Sequence, residues 1–330
     1  MLLIRCWFKI IFIVTIALHE AHGQDFSYLG SYGPEHWGEQ YTSCSGKQQS
    51  PINIDLVRTR NFSFPPLIIK GFDEVPKSAV LKNNGHTVVV TMDFEEDPTI
   101  SGGPLNDTYK LAQFHFHWGD DDDRGSEDLI NNHSFPVELH MVLFNQKYEE
   151  FNNAAHNVDG LVVLAYFFTI ANETNLAYVG LSFLLEKIVV PDHPVKYSYV
   201  PKLQYLISDN FENYFTYTGS LTTPPCSEVV TWIDFETPIP ITSEQIKNFR
   251  ALRTKQDQPL THNYRPTQPL NGRVVYRNMN YTGAFKNPKI SQDDSDRKIY
   301  IKKSISNKLN LNIKLYMMLY MIIVSRVNAI

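Results

Sequence analysis

Three histidines stand at positions where their chemistry could converge. In Gln113-Phe114-His115-Phe116-His117-Trp118 the aromatic and polar residues alternate. If this run is a β-strand, His115 and His117 share one face while Phe114 and Phe116 take the other. Two residues of rise place the imidazoles about 7 Å apart along the strand, close enough to meet at one ion between them. A third ligand has to come from a neighbouring strand at the same level. Val137-Glu138-Leu139-His140-Met141-Val142 offers it, with Glu138 and Val142 on the face of His140. Three neutral nitrogens with one position left open make a catalytic zinc site, whereas four closed ligands make a structural one. No closely spaced pair or quartet of cysteines exists to build the structural kind. Metal-bound histidine also needs a partner for its second ring nitrogen. Gln113 lies two residues from His115, and Glu138 two residues from His140, each on the same face as its histidine. The plainer alternative is a pair of ordinary polar residues facing solvent.

These histidines require strands to carry them, and the chain supplies strand-like segments. Residues 87–92, 109–118, 137–144, 161–169 and 229–235 are short, rich in Val, Ile, Thr, Phe and Tyr, and bounded by Pro, Gly, Asn or Asp. Helical patterns are fewer, over 177–188 and 243–254, the second opening on Thr242-Ser243-Glu244-Gln245 as a cap. The expected fold is a β-dominated α+β domain spanning 24–290, with helices at its periphery. Residues 120–124, four aspartates and an arginine, read as a solvated loop. Hydrophobic residues at 43% and aromatics at 13% are ample for one large core. A net charge of -5 with a pI near 6.1 argues against a nucleic-acid binder, which normally shows a basic stripe.

Several features point to export. Residues 1–23 have the layout of a secretory signal: Arg5 and Lys9, an apolar run, then Ala21-His22-Gly23, so that Gln24 begins the mature chain. The apolar run is too short to span a bilayer. Removing the signal removes Cys6 and leaves Cys44 and Cys226, an even pair that reads as a disulfide in an exported chain. Five Asn-x-Ser/Thr triplets, at Asn61, Asn106, Asn132, Asn172 and Asn280, are candidate glycosylation sites. In the C-terminal segment 291–330, an apolar run over 315–324 follows a polar spacer, with Ser304 and Ser306 upstream. That is the layout of a glycosylphosphatidylinositol-anchor signal. An unanchored secreted enzyme with a plain tail is the alternative.

Over residues 28–276 the chain resembles the alpha-class carbonic anhydrases. The motifs that carry the resemblance are Gly33-Pro34-Glu35-His36-Trp37, Gln49-Ser50-Pro51-Ile52-Asn53-Ile54 and Asn83-Asn84-Gly85-His86. They continue with 113–119, Gly125-Ser126-Glu127 and Glu138-Leu139-His140. Gly219-Ser220-Leu221-Thr222-Thr223-Pro224-Pro225 and Arg265-Pro266-Thr267-Gln268-Pro269-Leu270-Asn271 complete the set. The resemblance implies a large, twisted, mostly antiparallel central sheet. It also implies reversible hydration of carbon dioxide to bicarbonate through attack by a zinc-bound hydroxide; with the export features above, the expected enzyme is secreted or held at the outer face of the plasma membrane.

The resemblance assigns roles residue by residue. His115, His117 and His140 would hold zinc, oriented in turn by Gln113, the carbonyl of Asn263, and Glu138. Thr222 would accept a hydrogen bond from the hydroxide and give its own proton to Glu127. His86 would carry protons to solvent, a task suited to an unperturbed imidazole with a pKa near about 6.5. Val142, Val163, Leu221, Thr223, Val230 and Trp232 would line the substrate pocket, and Tyr28, Asn84 and Tyr217 the polar, hydrogen-bonded side of the cleft. Two positions depart from the family pattern: Asp128 where many members have His, and Val89 where a polar residue is common. His36 reads as a structural hydrogen-bonder and His133 as exposed loop, while His156, His193 and His262 take no role. The competing function is a carbonic-anhydrase-like binding module without turnover, although such relatives typically lack one or more of the three histidines.

Overall fold

The structure, a computed structural model, describes residues 26–198 and 200–279. The signal segment, the C-terminal segment 291–330 and the triplet at Asn280 lie outside the described residues. Among those described, fourteen strands follow one another. They are β1 (Asn53–Ile54), β2 (Arg60–Phe62), β3 (Leu67–Lys70), β4 (Ser78–Asn83), β5 (Val88–Asp93), β6 (Thr99–Gly102) and β7 (Tyr109–Trp118), then β8 (Leu129–Ile130), β9 (Val137–Asn145), β10 (Leu161–Ile170), β11 (Val195–Lys196), β12 (Tyr214–Gly219), β13 (Val230–Ile241) and β14 (Tyr276–Asn278). Twelve belong to one sheet, whose main path runs β11-β4-β5-β7-β9-β10-β13-β12-β14-β2. Most pairings are antiparallel; β10–β13 and β14–β2 are parallel. The expected β-dominated single domain is what forms.

Alternation along the central strands gives the sheet two unlike faces. On one, Phe114, Phe116, Leu139, Met141, Leu164 and Ile233 join the larger hydrophobic cluster. The helix Ser243–Arg250 covers this face, with Phe249 against Phe116 and Trp118 at ring separations of 5.1 and 5.3 Å. Thr242 and Gln245 close the expected capping box at its start. The opposite face carries His115, His117 and His140, flanked by a second cluster that includes Val142, Val163, Val230 and Trp232.

Both helices are shorter than their sequence patterns. The first spans Val179–Leu185, because Lys187 and Ile188 donate their N–H groups three residues back and tighten the last turn. The second ends at Arg250, after which Arg253 N–H bonds to Val189 O. β13 runs on to Ile241, six residues past its expected end; beyond a register shift at Tyr166/Phe168 it still follows β10. Cys44 and Cys226 form a disulfide that joins the N-terminal arm to the loop just after Thr223.

Candidate metal centre

Register brings the three histidines together. His115 on β7 pairs directly with His140 on β9, and ring centroids within the trio lie 4.5–5.2 Å apart. One nitrogen of each ring is already engaged. Nδ1 of His115 meets Gln113 Oε1 at 3.0 Å, Nδ1 of His117 meets the Asn263 carbonyl at 2.8 Å, and Nε2 of His140 meets Glu138 Oε1 at 2.7 Å. The remaining nitrogens, Nε2, Nε2 and Nδ1, face one another. The ligand atoms of the three residues lie within 4.8 Å of each other, and Nε2 of His117 is buried without a hydrogen-bond partner.

Electrostatics favours a cation here. Burial first, then mutual proximity, hold His115 and His117 well below the usual imidazole range, and burial takes His140 to about 3. All three rings are therefore neutral, with lone pairs free to ligate. Glu127 is fully buried, its Oε2 3.3 Å from His117 Nε2 and 4.0 Å from His140 Nδ1. Burial raises Glu127 well above the carboxylate range, opposed by the Thr222 hydroxyl and the Arg265 N–H. Burial also lifts Glu138 to about 8, opposed by the N–H groups of Asp128 and Glu127. A dication at the centre supplies the positive charge that these buried carboxyls lack. Three neutral imidazoles, each with its second nitrogen tied down, are the donor set of a catalytic zinc site.

An apolar wall stands beside the rings. Val142, Val163, Val230 and Trp232 are buried in one cluster with Leu221 against it, and the Trp232 ring lies 4.9 Å from His140. Thr222 is buried on the neighbouring loop, and Thr223 turns that loop by accepting the Cys226 N–H at 2.8 Å. Tyr28 is buried with its hydroxyl unpartnered. Asn84 spends its side-chain oxygen on the N–H groups of His86 and Thr87, which shapes the turn. Tyr217 is buried and stacked on Trp232, and its hydroxyl bonds to Asp128 and Ser50.

The expectation of an unperturbed imidazole at His86 does not hold. Its ring stacks on Phe26 at 4.0 Å and 13°, and burial, assisted by Lys255 and opposed by Asp192, pushes it down to about 4. Val89 pairs with His115 across β5 and β7 and so shares its face. Asp128 is fully buried and accepts from Ile52 N–H at 2.7 Å as well as from Tyr217.

Three features escaped the sequence reading. The Asn263 side chain binds Trp118 N–H, His86 O and Phe116 O. Arg265 ties its own N–H to Glu127 and its guanidinium to Gln49, Ser50 O and Cys44 O. Asp234 is wholly buried on β13 with both carboxyl oxygens unpartnered. Of these, Asp234 alone left a local signal, an acid inside the apolar run 229–235.

A family model described as eukaryotic-type carbonic anhydrase matches residues 32–279. Carbonic anhydrase 7 of Homo sapiens is 41% identical over 262 residues, covering 77% of this chain and 96% of the relative. Carbonic anhydrase 7 of Mus musculus is 41% identical over 251 residues, covering 74% and 93%. Carbonic anhydrase 15 of Mus musculus is 36% identical over 255 residues, covering 74% and 79%.

Proposed function

The chain belongs to the eukaryotic-type carbonic anhydrase family, and from that premise we propose that it catalyses the reversible hydration of carbon dioxide to bicarbonate and a proton. The observation that carries this reading is the convergence of three neutral imidazole nitrogens whose partner nitrogens are already bonded. Zinc held by three neutral nitrogens lowers the pKa of water to about 7 and so supplies a nucleophile at neutral pH.

The chain's own groups do the rest. Gln113, the Asn263 carbonyl and Glu138 fix the tautomer and tilt of each ligand ring. The Thr222 hydroxyl donates its hydrogen bond to Glu127, so its oxygen could only accept, which would orient the nucleophile. Val142, Val163, Leu221, Val230 and Trp232 exclude water and leave an apolar resting place for carbon dioxide, with Thr223 at its loop edge. His86 receives the proton that each hydration releases. Because the folded protein disfavours protonated His86, the ring holds that proton only in transit. Asn84 and Tyr217 support the hydrogen-bonded side of the cleft, where Tyr28 brings a buried, unpartnered hydroxyl.

We further propose export, with 1–23 as signal, 24–290 as catalytic domain and 291–330 as an anchor-exchange signal. The disulfide favours an oxidising compartment. Asn61, Asn106, Asn132 and Asn172 are all exposed, as glycosylation requires. No helix among the described residues is long and apolar enough to cross a membrane. Release of activity from expressing cells by phosphatidylinositol-specific phospholipase C tests the anchor.

Hydration of carbon dioxide by the purified protein, suppressed by an aromatic sulfonamide, tests the function. A folded, zinc-loaded protein without turnover would instead be a binding module.

A further inference from the structure

A pocket of about 690 Å³ borders His86 and is lined also by Phe26, Gln256, Gln258, Thr261 and His262. None of the three metal-centre histidines lines it. Among its lining residues, His86 and His262 are the only groups of a type that titrates near neutral pH. The two segments are physically joined: Asn263, the residue after His262, donates its side-chain N–H to the His86 carbonyl at 3.0 Å. Gln256, Gln258 and Thr261 line the same pocket and offer water several polar partners.

We propose that His262 is a second proton-carrying residue, which takes the proton from His86 across this shared pocket and delivers it to solvent. This rests on the reaction proposed above. The step is a plain transfer: imidazolium His86 returns to neutral as a water relay protonates neutral His262, which then gives the proton to buffer. Phe26 stacks on one face of the His86 ring and lines the pocket beside it. Lys255 opposes a proton on His86 and Asp192 favours one. At His262, burial lowers the ring from its usual value, opposed by Asp120 and assisted by Arg124. The Tyr264 ring lies 5.6 Å away and Thr261 Oγ1 3.5 Å from Nδ1. His262 thus offers the pocket a second imidazole within the same lining.

Oxygen-18 exchange on the zinc-loaded full chain separates carbon dioxide interconversion at equilibrium from proton-limited release of labelled water. His262→Gln leaves the first rate unchanged and slows the second several-fold in weak buffer. Because the two histidines act in series, the His86→Ala/His262→Gln double variant is no slower than His86→Ala alone. An unchanged second rate in His262→Gln, or additive losses in the double variant, overturns the relay. Absence of interconversion in the parent protein is a failure of the proposed reaction, and a readout that needs no turnover then tests the direction of transfer by itself. In NMR titration of the parent chain, His262 gains its proton at higher pH than His86. The reverse order contradicts a transfer in this direction.

Discussion

The main-chain oxygen of Asn263 accepts the Nδ1 proton of His117 at 2.8 Å, across 146 residues of sequence. The side chain of the same residue accepts from Trp118 N–H at 2.8 Å and donates to the carbonyls of Phe116 and His86. One residue therefore fixes a metal ligand, the strand that bears it and the turn that bears His86. Asn263→Ala keeps the carbonyl and strips the side chain, leaving a buried Trp118 N–H unpaired. Unfolding in urea should show a loss of about 1–3 kcal/mol, and proton transfer should slow because the His86 turn loosens. Wild-type stability in the variant would mean that water replaces the amide.

Thr222→Ala separates metal binding from turnover. The hydroxyl does not belong to the three-nitrogen set, so bound zinc measured by atomic absorption should stay stoichiometric. Turnover should fall ~10²-fold, as when one oriented hydrogen bond is lost at a reacting group. Loss of zinc together with activity would show that Thr222 supports the fold of the centre instead.

His86 gives a pH signature. The folded chain holds the ring at about 4, whereas an unfolded chain binds the proton near about 6.5. Stability from the neutral ring is therefore fully present above about pH 6.5 and is lost as pH falls from there through about 4. The lost contribution is at most about 3 kcal/mol. Denaturant unfolding of the zinc-loaded protein across that window should be steeper in pH than that of His86→Ala. Equal slopes would mean the ring takes up its proton in the folded state as easily as in the unfolded one.

The sequence revealed the parts of the site that depend on local periodicity. Alternation in 113–118 put His115 and His117 on one face, and the two-residue spacings of Gln113 and Glu138 foretold bonds found at 3.0 and 2.7 Å. Contacts that chain closure creates left no such trace. The stack of Phe26 on His86 joins segments sixty residues apart, and with it went the expectation of an ordinary imidazole. Asp234 was readable as an acid in an apolar strand, but its lack of any donor follows only from how β10, β12 and β13 pack.

Asp234 offers a test of that packing. Burial first, then Asp128 and Glu138, raise its carboxyl well above the usual range, and both oxygens lack partners. Asp234→Val removes an unsatisfied polar group from a β-strand and should stabilise the protein by about 1–3 kcal/mol, measured by chemical unfolding. Destabilisation would show that the carboxyl is satisfied by an internal water and holds the strands in register.

Zinc titration of metal-stripped protein, with carbon dioxide hydration followed by stopped flow, reaches the central claim most directly. Activity should be absent without metal, rise linearly to a sharp break at one equivalent of zinc, and fail to appear in His140→Ala at the same zinc concentrations. Activity that survives chelation, or an equal return of activity in His140→Ala, would contradict the three-histidine centre as the seat of the reaction.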